Sequence, residues 1–455
     1  MKNKQQKTIL IAIFQGVEAK NILRTSILET LLKDVCVRIV LLCNSQERVD
    51  YYKKEFQNDR LIYEVVRTQH TPNIDAFFGK LKFMLLKTDT TDLLRFMLRD
   101  SGRNLLVHWI AKITNAFLAR SLVRKFVRRV DFLFVREHTY AKYFDTYMPD
   151  LVFLAHLFDD KEIHILREAK RRGVKSVGLI NSWDQTTSRS MLRLLPDWFV
   201  VYNALVKQEL IELHDASPER IYVGGIAQYD EYYIHTPKSR DDFFKDIHAD
   251  PRKKLMVYAP VGKAFSNLEW TMIDVLYGLN ASGAFGNNLH ILVRFQPNDF
   301  VDQKALKLRP HLCYDYPGVR FTKSRSVDWD MNKKEVWHLA DTLYHADIVV
   351  SYVSSISIDA ALFDTPVINI GFTAGQVMLR ESPMQYYGME HYKKAVATGG
   401  IRLVSSVSEF CASVKRYLDD PSLDRAGRMR LVETQCVFTD GRSGERIGLF
   451  LLGQL

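Results

Sequence analysis

Short apolar runs recur along this chain, separated by stretches with helical periodicity, and inside each run apolar and polar residues do not alternate. Residues 8–14 (TILIAIF), 37–42 (VRIVLL), 61–66 (LIYEVV) and 151–155 (LVFLA) are of this kind, as are 177–180, 198–202, 255–259, 290–294 and 345–350. A strand with one wet face would alternate, whereas a strand covered by helices on both faces need not. Strand, helix and strand in succession predict a parallel sheet with right-handed crossovers. The pattern starts afresh near residue 255, so the expected architecture is two doubly wound α/β halves in tandem. A polar stretch broken by two prolines, 235–254, is the expected linker. The first helix is expected over 21–32. Residues 75–130 are expected as a helical insertion. Its last part, basic and amphipathic, fits a surface helix with its apolar stripe in the core or a helix lying in a membrane interface.

Composition narrows the class. At 455 residues the chain exceeds one typical domain, and 47% hydrophobic with 25% charged residues suits a soluble globular protein. Five scattered cysteines (Cys36, Cys43, Cys313, Cys411, Cys436) form no CxxC pair, which argues against a zinc site or a disulfide framework and for a reducing compartment. A net charge of +10 favours anionic partners. The basic start and apolar run at the N-terminus lead into Gln15, Glu18 and Lys20 rather than a small-residue cleavage site, so the run is expected as the first strand. No uncharged stretch approaches the length of a membrane span.

The densest motif is 351–372, SYVSSISIDAALFDTPVINIGF. A buried strand delivers Ser354, Ser355 and Ser357 at its carboxyl end, Asp359 falls in the first turn of the next helix, and Pro366 precedes a second buried strand. Ligands of open α/β sheets bind outside the carboxyl ends of strands, and free N–H groups at a helix start attract phosphate. Hydroxyls can hold phosphate oxygens and the acid a ribose diol, although serine and aspartate also serve as ordinary caps. Asp328 and Asp330 spell DxD, taken as capping or surface charge rather than a metal site.

Several segments, in order, resemble the GT-B glycosyltransferase superfamily, in particular its branch of CDP-glycerol glycerophosphotransferases and related bacterial surface-polysaccharide transferases. They are SWDQTTSR (182–189), 200–230, LVRFQPND (292–299), the 351–372 motif with its leading strand, HYKKAVATGGIRLV (391–404) and TDGRSGERI (439–447). The resemblance covers about the C-terminal two-thirds of the chain and implies two Rossmann-like domains facing across a cleft. Residues 1–240 would form the acceptor-side domain and 241–440 the nucleotide-donor domain, with 441–455 a helix crossing back to the first. One departure stands out: where that branch has a His-Pro pair, this chain has Gln296-Pro297. Glutamine cannot shuttle a proton as imidazole does, which tilts the expectation from glycerol-phosphate transfer to glycosyl transfer.

In that frame the donor-binding candidates are Arg294, Ser354, Ser355, Ser357, Asp359, Gly262 and Lys263. Asp184 and His391 are the candidate bases for the acceptor hydroxyl. Arg24, Arg442 and Arg446 are weaker anion ligands, Arg24 being expected on a helix surface. No metal and no resident cofactor are expected, the nucleotide-activated donor being a substrate. The expected partners are a nucleotide sugar or CDP-linked donor, a glycan or lipid-linked acceptor, and an anionic membrane surface; nucleic acid is not expected. The expected location is the cytoplasm, with the inner face of the cell membrane as a candidate site of action. A metal-independent glycosyltransferase of cell-surface polysaccharide synthesis leads. A CDP-linked polyol-phosphate transferase, a nucleotide-sugar 2-epimerase and a non-catalytic binding protein stand beside it.

Overall fold

The computed structural model describes residues 6–66, 73–100, 105–262, 268–286, 288–321, 329–375 and 382–455. It divides into two compact units: 1–92, 104–233 and 437–455 in the first, 93–103 and 234–436 in the second. Each unit is built on one parallel sheet with helices on its faces.

The first sheet comprises β1 (Lys7–Ile13), β2 (Val37–Cys43), β3 (Leu61–Val65), β4 (Leu151–Leu154), β5 (Lys175–Leu179), β6 (Trp198–Val201) and β7 (Ile221–Val223), in the order β3-β2-β1-β4-β5-β6-β7. Its central strands are apolar throughout because both faces are covered: Ile9 to Ile13 and Leu151 to Leu154 are wholly inaccessible. Strand order reverses between β1 and β4, where Ile9, Leu10 and Ile11 pair with Leu151, Val152 and Phe153. The crossovers that leave these neighbours run to opposite sides, so a crevice opens outside their carboxyl ends.

The second sheet comprises β8 (Lys254–Ala259), β9 (Leu289–Arg294), β10 (Cys313–Asp315) and, after a two-stranded ribbon of β11 (Val319–Arg320) and β12 (Trp329–Asp330), β13 (Ile348–Ser351), β14 (Val367–Ile370) and β15 (Arg402–Val404). Its order is β10-β9-β8-β13-β14-β15, reversing between β8 and β13. The expected α/β class and the pair of Rossmann-like doubly wound units are thus what the chain adopts.

Several local expectations change. The first helix is two, Gly16–Ile22 and Ser26–Lys33, because the Thr25 hydroxyl accepts from the Ile27 N–H and starts a new helix. The 235–254 stretch is built into the second unit: it carries helix Arg240–Asp246, Phe243 and Phe244 are fully buried, and the His235 imidazole meets Asp341 at 2.8 Å. Asp330 is wholly buried in β12 rather than at the surface, its carboxylate accepting from the Met331 N–H at 2.6 Å; Asp328 lies outside the described residues.

The last helix, Ser443–Leu452, packs on helix Ser26–Lys33 of the first unit. Asp230 caps it from a distance, accepting from the Ser443 and Gly444 N–H groups at 3.0 and 2.7 Å. Glycines four apart let the backbones meet: a Cβ on Gly444 would lie 2.6 Å from Ser26 Oγ, and one on Gly448 2.6 Å from Thr30 Cβ. Gly448→Leu is therefore expected to cost about 3 kcal/mol by overpacking, read as a lower urea midpoint; an unchanged midpoint would show that the helix can move away freely.

Candidate functional site

The reversal point of the first sheet gathers a cluster of titratable groups. β1 runs out through Phe14 and Gln15 into helix Gly16–Ile22, whose first turn carries Glu18. β4 runs out through His156 and Asp159 into helix Asp160–Arg172, whose first turn carries Glu162. Because β1 and β4 are neighbours, both strand-to-helix turns come together.

Glu18 is wholly buried; one carboxylate oxygen accepts from the Phe14 and Gln15 N–H groups, the latter at 2.9 Å, and the other has no hydrogen-bond partner among the described residues. Glu162 repeats the device on the β4 side, accepting from the His156 N–H at 2.9 Å with its second oxygen unpartnered. His156 Nδ1 is likewise buried and unpartnered. Asp159, half-buried, caps its helix through Lys161 N–H at 2.8 Å and accepts from the Gln15 carboxamide at 3.0 Å.

Burial pushes the Glu18 carboxyl up to about 8, with the Asp159 charge adding to the rise and the backbone donors and Arg48 opposing it. Burial also raises Glu162 well above the usual range, Glu18 contributing, and lowers the His156 imidazole to about 4. Near neutral pH the site therefore holds a protonated carboxyl beside a neutral imidazole. Environments that drive neighbouring groups apart in this way assign acid and base roles. One ligand atom each from Glu18, His156 and Asp159 lie within 4.8 Å of one another, so the same three side chains could hold a cation in place of the proton. Sequence reading named neither Glu18 nor the 156–162 acids as site residues. The available signal was an acid in the first turn after each of two buried strands, obscured at Glu18 by starting the first helix at residue 21.

Asp184 lies at the same end of the sheet, close enough to His156 and Tyr202 for its charge to be felt by both. Its carboxylate accepts from the Ser182 and Ser188 hydroxyls, the arrangement of a local turn. Arg24 is not on a solvated surface: it is buried, paired with Glu55 at 2.6 Å and enclosed by Tyr51, Tyr52 and Phe56. Arg442 and Arg446 pair with Glu445 and Asp440.

In the second unit, the reversal between β8 and β13 sets Ala259 beside Ser351, so the 259–262 and 351–355 loops leave the sheet together. Ser354 is half-buried and Ser355 exposed at the start of helix Ile356–Leu362, with Asp359 buried behind them. Ser357 instead faces inward, its hydroxyl 3.3 Å from Asn369 Oδ1 and 3.1 Å from the Tyr392 hydroxyl, which also accepts from the Asn369 carboxamide and the Ser354 N–H. That network holds the loop's shape and occupies Ser357. His391, next to Tyr392, is buried in helix Glu390–Val396.

Arg294 is also occupied, by Asp315 at 2.9 Å rather than by Asp299, and His338 meets the same carboxylate at 3.0 Å. Gly262 adopts φ +82°, and a Cβ there would lie 2.8 Å from Asp299 Oδ2 and 3.1 Å from Gln296 Oε1. Lys263 lies outside the described residues. The Gln296 carboxamide donates to Val261 O at 2.9 Å, so the position where the resembling branch has histidine closes onto this loop.

No family model matches the chain. It is 25% identical over 213 residues to a UDP-N,N'-diacetylbacillosamine 2-epimerase (hydrolyzing) from Legionella pneumophila, an alignment covering 46% of this chain and about half (52%) of that relative. Among solved structures it is similar to the UDP-GlcNAc 2-epimerase from Neisseria meningitidis bound to UDP-GlcNAc (TM-score 0.55, 11% identity, 98% of this chain and 100% of that one). It is also similar to the wall teichoic acid polymerase TagF in a structure with CDPG (TM-score 0.50, 12% identity, 98% and 88%). These likenesses establish the fold as GT-B.

Proposed function

We propose that this chain is a nucleotide-sugar enzyme that breaks the bond between a sugar's anomeric carbon and a nucleoside diphosphate. The observation that carries the reading is the Glu18–His156–Asp159–Glu162 cluster at the reversal point of the first sheet. A protonated carboxyl beside a neutral imidazole can give a proton to one atom and take one from another. Fixed donors must also meet the charge that develops on the departing diphosphate. In the second unit, taken by itself, the candidates for holding a nucleotide's phosphates are the Ser354 and Ser355 hydroxyls and the Gly262 backbone, with Asp359 toward the ribose. No resident cofactor is part of this scheme.

Within that class, 2-epimerisation with hydrolysis is the reading favoured by the sequence relative. It requires a C–H bond at carbon 2 to break and reform, for which a paired acid and base are the needed equipment. Glycosyl transfer to a glycan or lipid-linked acceptor in cell-surface polysaccharide synthesis is the second reading. It is favoured by the ordered set of motifs through 391–404 and 439–447. CDP-linked polyol-phosphate transfer ranks below both, because Gln296 and its bond to Val261 put no imidazole at that loop.

The test is incubation with UDP-N-acetylhexosamines in deuterated water, with no acceptor. The expected result is UDP release with deuterium at carbon 2 of the sugar. UDP release only when a glycan or lipid acceptor is added would establish transfer instead. No turnover of UDP-, GDP- or CDP-linked donors under either condition would return the chain to a binding role. Activity is expected to survive EDTA. Loss restored by a divalent ion would make Glu18, His156 and Asp159 metal ligands.

A further inference from the structure

Two helices of the first unit, Leu105–Leu118 and Ser121–Phe134, are turned inside out. A helix on a globular surface buries its apolar stripe and wets its charges. Here the deepest residues are polar. Asn115 is wholly buried and its carboxamide donates to Met84 O and Leu86 O at 2.8 and 2.9 Å. Arg124 and Arg128 are buried and both pair with Asp215 at 2.7 Å, while Asp131 is buried between Arg167 and Arg193. The surface-helix expectation, with the apolar stripe in the core, is therefore overturned for most of the stripe. Leu118, Val123 and Val127 pack inward against Leu85, Leu86 and Met191, and Phe132 packs against the main core of the unit.

The outward face is large and apolar. Leu122 is 82% exposed, Phe126 68% and Phe117 63%, and Trp109, Ile110 and Ile113, on the preceding helix with Phe117, are each more than half exposed. Helix Asn73–Leu81 adds the exposed Phe77. So many large apolar side chains left exposed on successive helices mark a docking site. The charges among these side chains have one sign. Lys112, Arg120, Lys125 and Arg129 are exposed, and the only acid on the two helices is the buried Asp131. The Lys112 ammonium sits 5.4 Å from the centre of the Trp109 ring and the Arg120 guanidinium 5.7 Å from that of Phe117, cations flanking aromatic rings as they do at a lipid headgroup level.

We propose that this face lies in an anionic phospholipid surface, with the rings among the acyl chains and the cations among the headgroup phosphates. Charge chooses this occupant over a second copy of the chain: a two-fold interface would set the cations of one face against those of the other, with no exposed acid on either helix to relieve them. Length decides between lying on and crossing. Fourteen residues make a helix of about 21 Å, short of the roughly 30 Å hydrocarbon layer, and no described helix is long and apolar enough to cross a membrane. The inference stands independently of the enzyme reading.

The test is flotation of the full chain with phosphatidylglycerol–phosphatidylcholine vesicles and with pure phosphatidylcholine vesicles. The protein is expected to float with the anionic vesicles at low salt, less as salt rises, and not with the neutral ones. Lys125→Glu/Arg129→Glu changes two exposed residues outside the catalytic candidates, so it is expected to keep the melting temperature and donor turnover while lowering vesicle partitioning about tenfold or more. Phe126→Ser tests the apolar half in the same way. No flotation at low salt, or equal flotation of wild type and the charge-reversed variant, would overturn the proposal. So would a concentration-dependent dimer in analytical ultracentrifugation that Phe126→Ser abolishes, since that would give the face to a second copy.

Discussion

Asp131→Ala is expected to destabilise the first unit by about 3–5 kcal/mol, the loss typical of removing one partner from a buried ion network. Asp131 is wholly buried and holds two buried guanidinium groups, Arg167 at 2.7 Å and Arg193 at 2.8 Å. Arg193 also reaches Asp75 at 2.6 Å, and Asp75 meets His164 at 3.2 Å. Burial by itself would lower Arg193, but its bonds and charge interactions with Asp131 and Asp75 outweigh that and hold it above its ordinary value. Burial works against Asp75 too, yet His164 and Arg193 keep its carboxyl well below the usual range. Taking Asp131 away leaves Arg167 with no hydrogen-bonded carboxylate among the described residues, only the more distant charge of Asp75, and Arg193 short of one, in a place water does not reach. The network ties helices Asn73–Leu81 and Ser121–Phe134 to helix Asp160–Arg172, which carries Glu162, so the variant should also weaken the candidate site. The check is the urea midpoint. A loss under about 1 kcal/mol would mean that the arginines find water or another partner. Asp131→Asn, which keeps shape and some hydrogen bonds, should fall between.

The second large effect is on pH dependence, through Glu18. Its carboxyl titrates near 4.5 in the unfolded chain and near 8 in the folded one. Between those values the unfolded chain has lost the proton and the native state keeps it, so stability falls as pH rises, by about 1.4 kcal/mol per pH unit for one such group. His156 acts from the other side. Its imidazole drops from 6.5 to about 4, so its contribution is lost as pH falls through that window. Above pH 6.5 the histidine no longer contributes a slope and the carboxyls dominate, Glu162 in the same direction as Glu18.

The wild-type melting temperature is thus expected to decline from pH 6.5 to 8, and Glu18→Gln to flatten much of that decline. The amide imitates the neutral acid and keeps an acceptor for the Phe14 and Gln15 N–H groups, so the variant should fold. It cannot transfer the proton, and turnover of a nucleotide sugar is expected to fall about 10²–10⁴-fold. Parallel melting curves for the two proteins across this range would remove Glu18 as the source. A flattened curve with full turnover would leave Glu18 a structural acid.

Much of the fold was legible because its signal is local. A strand buried on both faces must be apolar at successive positions, and the runs at 8–14, 37–42 and 348–350 are so, which yields the order of elements without knowledge of their neighbours. The 351–372 motif was placed correctly on its strand, turn and helix for the same reason. What each polar side chain in it meets was not legible. Ser357 turns to Tyr392 and Asn369, residues 35 and 12 positions away, and Arg294 turns to Asp315.

The acid cluster and the inverted helices share one cause. Glu18 and Glu162 are 144 residues apart and meet because β1 and β4 are adjacent at the reversal of strand order; sheet order is a tertiary fact that no local pattern encodes. In 105–134 the sequence determined that one side of each helix is apolar. Which side faces the protein was decided by distant partners: Met84 and Leu86 carbonyls for Asn115, Asp215 for Arg124 and Arg128, Arg167 and Arg193 for Asp131. Hydrophobic periodicity fixes the stripe, but a buried charge goes where its counter-charge waits, and only the folded chain puts the two together.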